Sequence, residues 1–308
     1  MPRADAVLLI AFGGPESRAD VRPFLDNVLR GRPVPRARFE EVVHHYEVIG
    51  GHSPLNALTF RQAAALEALL RAEGPGLPVY VGMRNWTPYV ADTLARMRDD
   101  GVRHALAIVL AAHRTEASWE RYRESVDAAR AALGDGAPTV AYAPSWYAHP
   151  RFVEAMADCT RAALTALAPA SEDAAPALVF TAHSIPVGMA AASLYVQELE
   201  TSCRLVAAAL AIDDFVLAYQ SRSGNPREPW LEPDVNDLIR ARAERGTRAM
   251  VLVPIGFVCD HVEVLYDLDV EASATAAAAG VRLVRAAAVN DHPAFVRMLA
   301  EIVRAAAG

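Results

Sequence analysis

No lysine occurs in this chain of 308 residues, so all thirty basic residues are arginines, set against thirty-seven acidic ones for a net charge of −7. An all-arginine cation set reflects an alanine- and arginine-rich coding background more than a function. No basic tract runs far enough to follow a phosphate backbone, which excludes nucleic acid as an expected partner. Cysteine is equally scarce: Cys159, Cys203 and Cys259 are scattered and odd in number. That usage fits a reducing cytoplasm and offers no CxxC metal pattern. No apolar run approaches the roughly 18 residues of a membrane span, and the opening MPRADAVLLIAFGG is too short in its apolar part for a signal peptide. A cytoplasmic protein without a membrane span is therefore expected. Neither a GxGxxG nor a Walker sequence is present.

What the chain does have is apolar residues, 53% of the total, enough to bury one large or two medium cores. Ala6 to Ala11 reads as a buried parallel strand ended by Phe12-Gly13-Gly14-Pro15, and Arg18 to Leu29 is helix-compatible. A helix over Leu58 to Ala72 follows, then strands at Val79 to Gly82, Ala105 to Leu110 and Thr139 to Ala143 with a helix ending near Asp99 between the first two. The alternation predicts an α/β doubly wound unit. The second half starts again in the same way. ALVFTAHSIP, Ala177 to Pro186, lies over AVLLIAFGGP, Ala6 to Pro15, with alanine at the first and sixth positions and proline at the tenth. Gly101-Val102-Arg103 before one strand likewise matches Gly246-Thr247-Arg248 before another. Two similar domains are expected, residues 1–148 and 149–308, with the last helix free to pack back on the first. Ligands in such units bind outside the carboxyl ends of the strands.

Two features emerge at such ends. His183 follows the strand over Leu178 to Thr181, where Phe12 stands in the first repeat. After the apolar run Met250 to Ile255 and a glycine-containing loop from Gly256 to His261, Glu263, Asp267 and Glu271 recur every fourth residue. On an α-helix that spacing draws three carboxylates into one slowly turning line. No arginine lies between Asp260 and Glu271 to neutralise the line, and like charges at this spacing repel. Such a row is commonly the solvated face of an amphipathic helix. Here the intervening Val262, Val264, Leu265, Tyr266, Leu268 and Val270 leave little solvent face, which points instead to a cation or a proton.

LLIAFGGPE, IGGHSPLNALT at 49–59, APSWY at 143–147, TAHSIP at 181–186, YQSRSGNPREPWLEPDV at 219–235 and VPIGFVCDHVEVLYDLD at 253–269 together resemble the ferrochelatases, nearly end to end. The resemblance implies two Rossmann-like, chelatase-type domains, each a parallel sheet flanked by helices. It also implies an enzyme that inserts ferrous iron into a porphyrin in haem biosynthesis. Carried over position by position, His183 and Glu263 are the catalytic pair, and Asp267 and Glu271 join them as metal ligands leading away from the site. Phe12, Arg30, His45, Tyr46, Ser53 and Tyr122 fall in segments that line the porphyrin pocket. Neutral imidazole can accept a pyrrole proton or bind iron, and a carboxylate can do the same through oxygen.

Phe12 stands where some coproporphyrin III enzymes carry a metal-ligating tyrosine, which leaves coproporphyrin III and protoporphyrin IX both open as substrates. Fe²⁺ is then a substrate and no cofactor is permanently bound. Without a cysteine-bearing C-terminal extension no iron–sulfur cluster is expected, and a soluble protein, compatible with a monomer, is favoured. The rival readings are a chelatase for cobalt or another metal in a different tetrapyrrole, and a non-catalytic haem- or metal-chelate-binding protein.

Overall fold

The computed structural model describes residues 3–167, 176–223 and 227–307. Gly224, Asn225 and Pro226 of the YQSRSGNPREPWLEPDV stretch, and Gly308, lie outside the described residues. The chain forms two compact units. Among the described residues, one is drawn from the spans 1–111, 116–145 and 290–308, and the other from 112–115 and 146–289.

In the first unit β1 (Ala6–Ala11), β2 (Val79–Met83), β3 (His104–Val109) and β4 (Thr139–Tyr142) make a parallel sheet in the order β2-β1-β3-β4. Every residue of β1 is buried, as AVLLIA requires of a central strand covered on both faces. On one side Leu8 and Ile10 pack with Leu94, Met97, Val126 and Trp119 from the flanking helices. The helix expected from Leu58 starts at Leu55, because Pro54 is already set for a first turn and the Ser53 hydroxyl accepts from the Leu55 amide at 3.3 Å. The final helix, Pro293–Ala307, belongs to this unit. Arg304 ties it to the end of the Leu55–Glu73 helix through Glu73 at 2.8 Å and the Gly74 carbonyl at 2.9 Å.

The second unit repeats the plan with β5 (Ala177–His183), β6 (Phe215–Gln220), β7 (Ala249–Val253) and β8 (Arg282–Arg285) in the order β6-β5-β7-β8. The internal repeat is thus a repeat of topology: the first strand of each half is central in its own sheet. Its glycine landmarks are equivalent too. Gly101 and Gly246 take φ of +84° and +95° just after a helix, a left-handed region that favours glycine. Arg103 and Arg248 then offer their carbonyls to the first residues around β4 and β8, Thr139 and Arg282. The α/β class with two helix-flanked parallel sheets holds. Among the described residues no helix is long and apolar enough to cross a membrane.

His113 is buried in the second unit, its Nε2 2.9 Å from the Ser202 hydroxyl, which donates to the Tyr147 carbonyl, with Phe152 and Tyr195 edge-on to the ring. Burial pushes this imidazole down to about 3. The native state therefore refuses a proton that the unfolded chain accepts near its ordinary value of 6.5, so stability is full above about 6.5 and is lost as pH falls towards about 3. His45, lowered to about 4 by burial and then by Arg38, adds the same sign in the first unit. Asp267 and His183, both raised, act with the opposite sign over the same window, so the expected result is a difference: between pH 7 and pH 5 the urea midpoint of His113→Gln loses less than that of wild type. Equal slopes would remove His113 as a cause.

Candidate active site

β5 runs one residue further than β1. His183 is its last residue and pairs in register with Gln220 of β6. The loop after β7 comes close to this end, Gly256 donating to the Thr181 carbonyl at 3.1 Å. The Tyr195 hydroxyl donates to the His183 carbonyl at 3.0 Å. The His183 ring meets the Ser184 carbonyl through Nδ1, and since a carbonyl only accepts, Nδ1 carries a proton. Nε2 is left facing Glu263, 3.5 Å from Oε1. On the other side Glu263 Oε2 lies 3.3 Å from Nε2 of His261, so one carboxylate stands between two imidazoles. The His183 and Glu263 side chains are 31% and 37% exposed, open enough to be reached.

Burial alone would lower His183. The Glu263 carboxylate, by charge and hydrogen bond, with the Ser184 carbonyl and Asp267, outweighs it and raises the imidazole to about 9. Burial would likewise raise Glu263, yet His183 and then His261 hold it well below the ordinary carboxylate range. Both shifts, His183 up and Glu263 down, favour an imidazolium–carboxylate pair. A neutral imidazole, the form that can accept a pyrrole proton, therefore requires that the hold of Glu263 on His183 be loosened.

The acidic row departs from a uniform α-helix. One α-helical stretch, Val262–Leu265, passes into a π-helix over Asp267–Ala272 before the α-helix resumes at Ser273–Ala278. The Glu271 amide accordingly reaches back five residues to the Tyr266 carbonyl at 3.0 Å. The wider turn changes how far each side chain rotates from the last, so the row grades from half-buried Glu263 through buried Asp267 to exposed Glu271. Asp267 accepts from the hydroxyl of Ser221, a non-glycine residue at φ +63°, and the Gln220 amide donates to the Glu263 carbonyl. Burial pushes the Asp267 carboxyl up to about 7, Ser221 opposing and Glu263 and Glu271 adding to the rise. β8 brings a cation to the flanking carboxylates, though to none of the three in the row. Arg285 bonds Asp260 at 2.9 Å and grips Asp269 at 2.6 and 2.8 Å, on either side of Glu263 and Asp267 along the chain. Among the described residues no three His, Cys, Asp or Glu side chains form a group that could hold a metal ion. The structure therefore joins His183 to Glu263 but does not close Asp267 and Glu271 around the same point.

The remaining sequence-derived residues lie in the first unit. Phe12 follows β1 with a 37% exposed surface and meets Phe24 edge-on at 6.2 Å, while Phe24 meets Tyr46 and Trp86 at 6.1 Å each. Tyr46 is buried and His45 nearly so, on the helix Arg36–Val48. Ser53 is buried against Gly14, where a Cβ would stand 2.9 Å from its own. Arg30 is an exposed residue at φ +49°, and Tyr122 packs in the core beside the first sheet.

The family model described as Ferrochelatase matches residues 4–307. The chain belongs to the ferrochelatase family. The Ferrochelatase of Rhodopirellula baltica is 45% identical over 305 residues, 99% of this chain and 86% of that one. The Coproporphyrin III ferrochelatase of Mycolicibacterium smegmatis is 44% identical over 302 residues, covering 97% and 88%. Among solved structures, the sirohydrochlorin chelatase SirB of Bacillus subtilis in complex with cobalt aligns with a TM-score of 0.57 at 11% identity, over 98% of this chain and 94% of that one. At that identity the likeness shows the fold alone, two chelatase-type α/β units.

Sequence reasoning missed three residues that this arrangement brings together. His261 looked like loop, yet as the extended residue before the first helical turn, at φ −158°, it points its ring at Glu263 two residues on. The sequence signal was the HVE triplet. Gln220 and Ser221 gave none, since what they touch lies more than forty residues away.

Proposed function

We propose that this ferrochelatase-family protein inserts Fe²⁺ into coproporphyrin III, with Glu263 and His183 acting on the metal and on the pyrrole protons. One observation carries the reading: a charged carboxylate, reachable from solvent, is held between two imidazoles at the carboxyl end of β5. Iron that takes an oxygen of Glu263 competes with His183 for it. The imidazolium then loses the partner that raises it, returns to an ordinary proton affinity, and can release its proton and accept one from a pyrrole. Asp267, buried beside Ser221, and Glu271, open to solvent, continue from Glu263 as a route for protons or cations and not as a closed cage. Aromatic and polar residues of the first unit, Phe12, Arg30, His45, Tyr46, Ser53 and Tyr122, belong to the porphyrin's surroundings in this reading. The relatives named for coproporphyrin III support that substrate over protoporphyrin IX. The free thiols of Cys159 and Cys203 suit a reducing cytoplasm as the place of reaction.

Anaerobic Fe²⁺ offered with coproporphyrin III and, separately, with protoporphyrin IX tests this by absorbance. Insertion into coproporphyrin III with the higher kcat/KM is expected. A preference for protoporphyrin IX overturns the substrate, and no insertion into either overturns the function.

A further inference from the structure

The first sheet ends beside Phe12 in a group of arginines that lacks counter-charge. Beyond Met83 the chain continues alongside β1: the Arg84 amide donates to the Ala11 carbonyl and the Asn85 amide to the Phe12 carbonyl, both at 3.0 Å. Asn85 is fully buried. Its side-chain oxygen accepts from Arg30 Nη2 at 3.1 Å and, weakly, from Arg84 Nη1 at 3.5 Å, so one neutral amide is shared by two guanidiniums. Arg30 Nη2 also donates to the Arg84 carbonyl at 2.9 Å, and Asn27 Nδ2 to the Asn85 carbonyl at 3.3 Å. Arg84 Nε and Asn85 Nδ2 are buried donors with no hydrogen-bond partner. Among the described residues Arg30, Arg32 and Arg84 make no ion pair with a carboxylate, whereas the nearby Arg121 has Glu116. Burial, then Arg30, with Arg121 and Arg32 adding, holds Arg84 below the ordinary arginine range.

Like charges crowded together and buried donors left unbonded both weaken a fold, and native proteins keep few of either. A fork of guanidinium donors with an amide N–H beside it suits a carboxylate, which could satisfy both. The place agrees, at the carboxyl edge of a parallel sheet next to the exposed ring of Phe12. We propose that Arg84, with Asn85 beside it, receives one carboxylate of the porphyrin and so favours the substrate richer in carboxylates. The inference rests on the porphyrin reading above and deepens it: coproporphyrin III carries more carboxylates than protoporphyrin IX.

Arg84→Met and Arg84→Lys test it in the full chain, by fluorescence titration with coproporphyrin III at low and high salt, by steady-state insertion, and by thermal unfolding without ligand. Arg84→Met is expected to weaken coproporphyrin III binding by about 10-fold or more, the scale of a lost charged hydrogen bond. The loss should appear in KM with kcat little changed, the salt dependence should flatten, and Arg84→Lys should recover part of the affinity. Without ligand, Arg84→Met should melt no lower than wild type, since it relieves an uncompensated cation. A merely structural arginine predicts the opposite, a lowered melting temperature. Wild-type insertion that Arg84→Met matches in KM overturns this inference alone, and so does a lowered melting temperature accompanying weaker binding. A wild type that binds no porphyrin overturns the porphyrin reading together with it.

Discussion

Glu263→Gln is expected to lower metal insertion by about 10²–10⁴-fold while porphyrin affinity stays within a few-fold, the range for removing a positioned acid–base group. The amide keeps the shape of the side chain and can still meet one imidazole, so the fold and the porphyrin surroundings are little disturbed. What it loses is charge. Glu263 is the largest of the influences that raise His183 against its burial, with the Ser184 carbonyl and Asp267 adding, so in the variant the imidazole is expected to titrate lower. Two measurements check this separately: anaerobic insertion kinetics, and an NMR titration of His183 in the ligand-free protein. Turnover equal to wild type would remove Glu263 from the chemistry, and an unshifted His183 titration would remove the coupling.

Gly256→Ala should be damaging for a different reason. A Cβ there would stand 2.7 Å from the Cβ and 2.8 Å from the Cα of Ala182, atoms of a fully buried strand residue that cannot swing aside. Ala182 immediately precedes His183, so the strain is relieved only by moving the end of β5 or the loop after β7. Overpacking of this kind costs about 1–3 kcal/mol. Displacing the imidazole by even ~1 Å can cost on the order of 10² in turnover. Calorimetry and kinetics on one preparation are expected to show both losses, whereas Gly76→Ala, with nothing within 4 Å of its new methyl, should show neither. A Gly256→Ala protein with unchanged melting temperature and unchanged kcat would mean that the two segments do not press on each other.

The features of this chain that could be read in advance are those encoded over short distances. AVLLIA and ALVFTAH announce central strands because burial on both faces demands consecutive apolar residues, and their alignment exposes the repeated topology. His183 and Glu263 could be singled out because each follows an apolar run that ends in a loop, where α/β units place their chemistry. The π-helix could not, since α and π turns are built from the same residues and differ only in which carbonyl each amide reaches. Nor could the protonation of His183, which depends on a carboxylate eighty residues on. Arg285 was invisible for the same reason: as one of thirty arginines it has no local mark, and only the pairing of β8 with β7 brings it to Asp260 and Asp269. Tyr122 came from a resemblance of segments alone, and its packing in the core beside the first sheet was not marked in the sequence.

The claim beneath all of this is that His183 and Glu263 work as one unit. A double-mutant cycle on anaerobic single-turnover insertion, with His183→Ala, Glu263→Gln and the two combined, tests it most directly. The double variant is predicted to be hardly slower than the worse of the two single variants, because either change already breaks the pair. Losses that simply multiply would contradict the account and make the imidazole and the carboxylate independent contributors.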